Sequence, residues 1–146
     1  MKIFYQILAG LILITIPLIV HAETINVEVE NIMVSRGGNV MVLLFTGEGF
    51  PIKHDKALTV KTKPASAERL KFLFKKTPSK HVAFKVLHDE DANKKVSKNW
   101  TGIWPKEGLG FSNGRQMSAI GPPNFEEAKL VVADITDSVT LIVTYP

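Results

Sequence analysis

Val82-Ala83-Phe84-Lys85-Val86-Leu87-His88 is the stretch on which the reading of this chain turns. Val82, Phe84, Val86 and His88 share one parity, so a strand through them sets four side chains on one face, with His88 at its end on the core side. His81 has the opposite parity and is expected to face out. Upstream, Val40 to Phe45 is apolar at both parities, the pattern of a central strand covered on both faces. Between these two lie a short strand from Thr59 to Lys63 and an alternation in which Leu70, Phe72 and Phe74 interleave with Lys71, Leu73 and Lys75. At the start, Ile25, Val27 and Val29 alternate with Asn26, Glu28 and Glu30. Arg36-Gly37-Gly38-Asn39, Pro64 to Ala67 and Thr77-Pro78-Ser79 are turn signals, and Lys53 to Leu58 reads as one helical turn. Downstream, Lys129 to Ala133 and Val139 to Tyr145 read as a final strand pair joined near Asp134 to Ser138. About seven short strands without a convincing long helix define an all-β antiparallel sandwich.

Its N-terminal flank is of another kind. Lys2 precedes a run of 14 residues from Ile7 to Val20, interrupted by Thr15 and Pro17, and Val20-His21-Ala22 follows. A bilayer span needs about 20 apolar residues, so residues 1–22 read as a cleaved signal peptide and residues 23–146 as a single β-sandwich domain. The expected location is periplasmic or secreted, without stable membrane insertion after cleavage. With no cysteine, the domain has neither disulfides nor a lipid-bearing N-terminal thiol and relies on its apolar core.

Charge is uneven: residues 53 to 98 hold 13 Lys and Arg against 5 Asp and Glu, whereas the whole chain nets +4. Nucleic acid is not the expected partner, because no aromatic residues interleave with the lysines as a stacking platform requires. The plain reading is alternate lysines on the solvent faces of strands.

The loop from His88 to Phe125 is long and rich in Gly, Asn and Pro. Loops beyond about 15 residues are usually functional or disordered; Trp100, Trp104 and Phe111 are expected to anchor this one by burial. Asn113-Gly114 reads as a tight turn. Asp89, Asp91 and Asn93 occupy the first three ligand positions of a calcium loop, but Lys94 stands where the Gly belongs and Trp100 where the bidentate Glu belongs. No metal and no cofactor is therefore expected; were calcium bound, those three residues would hold it. His88 beside Asp89 invites a general-base reading, yet neighbours on a strand point to opposite faces, and a core-edge histidine bonded to loop backbone is the simpler expectation. Convergence of His54, His81 and His88 on a metal is opposed by the parity of the last two.

Several blocks together carry a resemblance: Val42-Leu43-Leu44-Phe45, Glu48-Gly49-Phe50-Pro51, Lys56-Ala57-Leu58, His88-Asp89-Glu90, Pro105 through Asn113, and Gly121-Pro122-Pro123-Asn124-Phe125-Glu126. In this order they resemble the bacterial exported proteins of domain-of-unknown-function family 2141. The resemblance implies a periplasmic or secreted sandwich of immunoglobulin-like or transthyretin-like build, with no established activity. Lys94 and Ser97 depart from the calcium-like Gly and Asp found after the histidine in such proteins, and Trp104 is an extra residue before Pro105.

The functional expectation is a non-enzymatic binding or interaction module that presents Trp104, Lys106, Glu107, Phe111, Asn113 and Arg115 on the loop to an unidentified partner, such as an envelope component or other protein. Two alternatives are a hydrolase-like enzyme using His88, Asp89 and Glu107, and a structural envelope protein.

Overall fold

Strict alternation in Thr24–Glu30 buries Ile25, Val27 and Val29 and leaves the intervening residues exposed or half-buried. The computed structural model describes residues 23–146; the signal-peptide reading falls on residues 1–22, outside the described residues. Among the described residues eight strands are formed: β1 (Thr24–Glu30), β2 (Asn39–Phe45), β3 (Thr59–Pro64), β4 (Leu70–Lys75), β5 (His81–Asp89), β6 (Gly108–Phe111), β7 (Leu130–Val131) and β8 (Ser138–Ile142). A one-turn helix, α1 (Phe125–Ala128), precedes β7 and is closed by a capping box between Asn124 and Glu127. Among the described residues no helix is long and apolar enough to cross a membrane.

One sheet has the order β4-β1-β8; the other runs β3-β2-β5-β6, with β7 also on β5. The inner faces meet in a core that includes Val27, Val42, Phe72, Phe74, Phe84, Val86 and Leu141. The arrangement is a β-sandwich, antiparallel except where β8 runs parallel to β1. The expected final pair does not form. β7 joins the start of β5, and a 3-10 turn at Val132–Asp134 leads the chain away from that sheet to β8, where Val139 and Leu141 turn into the core.

The lysines are not simply the solvent faces of strands. Lys71 fits that reading and pairs with Glu28. Lys61 and Lys63, however, stand opposite Val42 and Val40 in register, on the core parity of edge strand β3. Their ammonium groups lie 5.7 and 5.2 Å from the ring centres of Phe74 and Phe72. Inward-pointing charges on an edge strand close the open side of the sandwich and discourage edge-to-edge pairing, while the stems cover apolar surface.

A second apolar cluster decides where function can sit. Met41, Leu43, Phe45, Leu87, Leu109 and Phe111 lie on the outer face of the larger sheet, and Phe50, Ala57, Val96 and Met117 pack on them. The segment after β2 and the long loop thus form a third layer, which explains why β2 and β5 are buried at both parities. Lys85 and Asp89 have the parity of this covered face.

Candidate functional site

The stretch from His88 to Phe125 is not one irregular loop, because Gly108–Phe111 within it forms β6. The register of β5 with β6 sets His88 opposite Gly108, so Asp89 and Glu107 meet at the mouth of the hairpin. At the far end Ser112 accepts from the Phe84 N–H at 2.9 Å and donates to the Ala128 carbonyl at 2.6 Å, filling the gap between β6 and β7 along β5. Gly110 permits the close approach of the end of β8, since a Cβ there would stand 2.2 Å from the Ile142 carbonyl. Asn113 and Gly114 both take left-handed φ in the expected tight turn.

Of the three expected aromatic anchors only Phe111 is buried. Trp100 is 96% exposed and Trp104 43%, because Lys98 to Pro105 forms a small excursion of its own. It is held by the Lys98–Pro105 bridge and by the Asn99 N–H to the Trp104 carbonyl at 2.8 Å. Its tip carries both indoles and Ile103 outward. Val96, Met117 and the buried Pro105 and Pro123 anchor the loop in their place.

Between this loop and residues 51–55 lies a cavity of about 670 Å³, within the range of small-molecule sites. Val96, Leu109, Phe111 and Met117 form its apolar wall, and Ile52 and Ile103 its lip. Lys53, Lys94, Lys95 and Lys98 also line it, and Lys85 reaches it from β5. Lys85 is only 3% exposed. Its ammonium donates to the Pro51 carbonyl at 2.9 Å and to His54 Nε2 at 2.8 Å. Accepting at Nε2 assigns the imidazole proton to Nδ1, which faces the Lys94 carbonyl at 3.1 Å. Burial lowers the Lys85 pKa from 10.5 to about 8. Burial, and after it the Lys85 charge, holds His54 below the ordinary histidine value. Sequence reasoning missed both residues as a site. A lysine flanked by Phe84 and Val86 in a strand that also carries Ala83 and Leu87 was the available signal.

Asp89, Asp91 and Glu107 form a separate carboxylate cluster, with oxygens within 4.8 Å of one another. Hard oxygen donors of this kind suit a divalent cation, and these are the residues that could hold one. Their oxygens already receive loop donors. Asp89 accepts from the N–H groups of Asn93 and Lys94, and Glu107 from those of Glu90 and Ser97. Asn93, the third residue of the calcium pattern, directs its carboxamide to Asp91, Ser97 and the Lys95 N–H instead. Lys94 takes the left-handed φ of 62° at the position where such loops have Gly. Glu107 is buried, and desolvation raises its pKa.

His88 lies on the opposite face of β5 from these carboxylates, fully buried. Nδ1 meets the Tyr145 hydroxyl at 2.6 Å and Nε2 meets the Gly37 carbonyl at 2.6 Å. Tyr145 in turn accepts from the Met33 N–H, so a neutral ring protonated at Nε2 satisfies all four groups. Asp89 does not orient it, and His54 is on the far side of the sheet. The remaining residues singled out in the loop do not converge: Lys106 is exposed, Asn113 and Arg115 both donate to the Glu127 carbonyl in α1, and Phe111 belongs to the second core.

Fold and site define a β-sandwich with a third, loop-built layer that borders an open, lysine-bearing cavity. The chain belongs to a family described as an uncharacterized protein conserved in bacteria (DUF2141), whose family model matches residues 27–140. No curated protein and no solved structure gives a significant match.

Proposed function

We propose that this chain is an exported binding module, periplasmic or secreted after loss of residues 1–22, whose cavity under the long loop receives a small ligand with an apolar body. The observation that carries the reading is the cavity itself: about 670 Å³ walled by side chains that a mere covering loop would be expected to pack shut. A hydrolase centred on His88 draws no support from its placement, with both ring nitrogens committed inside the core. The exposed Ile52 and Ile103 supply an apolar lip by which a ligand reaches the cavity.

Titration with decanol tests the binding reading. The unaltered protein is expected to bind it, and Met117→Trp, which fills the cavity from its wall, is expected to weaken binding by about tenfold or more, the effect of losing about 1.4 kcal/mol of contact. Equal binding by both proteins would place the ligand elsewhere. Export is tested by fractionating a bacterial host and sequencing the mature N-terminus, expected at Glu23.

A further inference from the structure

We infer that the cavity's ligand is an amphiphile with a carboxylate head, and that Lys85 at the inner end of the cavity is the residue that pairs with that head. The inference rests on the cavity being a ligand site and adds the chemistry of what enters it.

Charge in the cavity is one-sided. Five lysines line it (Lys53, Lys85, Lys94, Lys95 and Lys98) against one carboxylate, Asp55. Four of the five are exposed and their charges are screened by water; they attract an anion but do not place it. Lys85 differs in being buried. An ammonium carries three N–H donors. The Pro51 carbonyl and His54 Nε2 take two, and among the described residues no further acceptor is bonded to it. Neither partner is anionic, so the buried charge has hydrogen bonds but no counter-ion. A buried charge of that kind is costly, and an incoming carboxylate relieves the cost. The lowered pKa of Lys85 has burial as its cause, in keeping with an ammonium that lacks a neutralising partner.

The apolar wall supplies the other half of the ligand. Leu109 and Phe111 belong to the sheet's outer cluster, with Val96 and Met117 packed on it, and the Lys85 side chain rises from the same sheet face. A chain lying along the cavity wall with its head at Lys85 would bury methylenes and make one charge-assisted hydrogen bond. A ligand with a cationic head would meet five ammonium groups, and a neutral one would leave the Lys85 charge uncompensated.

Three probes with the same ten-carbon chain separate the possibilities: decanoate, decanol and decyltrimethylammonium, titrated below their aggregation limits into protein purified after expression of the full chain. Binding is read by calorimetry and by methyl NMR shifts of Val96, Leu109 and Met117. Decanoate is expected to bind at least about tenfold more tightly than decanol, the size of one charge-assisted hydrogen bond, with the ammonium weakest. Lys85→Met is expected to abolish the preference for decanoate over decanol. The comparison of probes on the unaltered protein stands even where that variant fails to fold. Decanol binding as tightly as decanoate would overturn the carboxylate assignment while leaving the cavity as a ligand site. No shift at those methyls with any probe would overturn both. A preference for decanoate that survives Lys85→Met would assign the head to the exposed lysines and contradict the role given to Lys85.

Discussion

Lys85 Nζ lies 2.8 Å from His54 Nε2, a donor and an acceptor held together under the long loop. The pair makes stability depend on pH in a definite direction. Folding depresses the Lys85 pKa from 10.5 to about 8, so between those values the unfolded chain binds more protons and stability rises with pH. The burial penalty, about 3 kcal/mol, is fully present below pH 8. Urea unfolding from pH 8 to 9.5 is expected to show a gain of about 1–2 kcal/mol, and Lys85→Met is expected to flatten it. Below pH 6.5 the lowered His54 pKa acts likewise, since the unfolded chain takes up a proton that the folded ring resists; stability is expected to fall with pH there, and less so in His54→Gln.

His88 and Tyr145 make the equivalent relationship inside the core. Tyr145→Phe removes the hydroxyl that serves His88 Nδ1 and the Met33 N–H, and is expected to cost about 1–2 kcal/mol in urea unfolding. An unchanged midpoint would mean that the hydroxyl contributes nothing there.

Ser112→Ala strands the Phe84 N–H and the Ala128 carbonyl, both in buried residues. The expected loss is about 1–3 kcal/mol, with faster hydrogen exchange at the Phe84 amide. Gly110→Ala is expected to be at least as damaging, because the new methyl group would overlap the backbone carbonyl of Ile142.

Glu107→Gln tests how the loop is tethered. Both Glu107 oxygens accept backbone N–H groups, and a carboxamide can present only one acceptor to the two donors. Hydrogen exchange at the Ser97 or Glu90 amide is expected to accelerate while β1 and β2 stay protected. Because burial raises the Glu107 pKa, the folded state holds this proton more firmly than the unfolded one. Its contribution to stability therefore declines as pH rises from 4.5 through the folded value, and the variant is expected to lack that decline.

Periodicity made most of the sandwich legible. The alternation in Thr24–Glu30 and the shared parity of Val82, Phe84, Val86 and His88 survive unchanged, because side-chain direction in a strand depends on parity alone. The pairing of the last strands was not legible: Leu130–Val131 and Ser138–Ile142 pair with β5 and β1, partners chosen by tertiary packing. Trp100 and Trp104 misled because aromatic residues usually mark buried anchors, and here a local hairpin carries them outward. Lys85 was obscured for a related reason. Its place in the strand was plain, but only the folding back of the long loop turns that face from surface into the inner wall of a cavity, bringing His54 to it from 31 residues away. The carboxylate cluster was half legible, since Asp89 and Asp91 are neighbours in sequence while Glu107 joins them only through the register of β5 with β6.

Intermolecular NOEs between decanoate and the methyl groups of the protein bear most directly on the cavity as the binding site. Contacts from the ligand's methylenes to Val96, Leu109 and Met117 are expected, with the carbon next to the carboxylate nearest the Lys85 side chain. Contacts confined to Trp100, Ile103 and Trp104, with the cavity methyls silent, would contradict it.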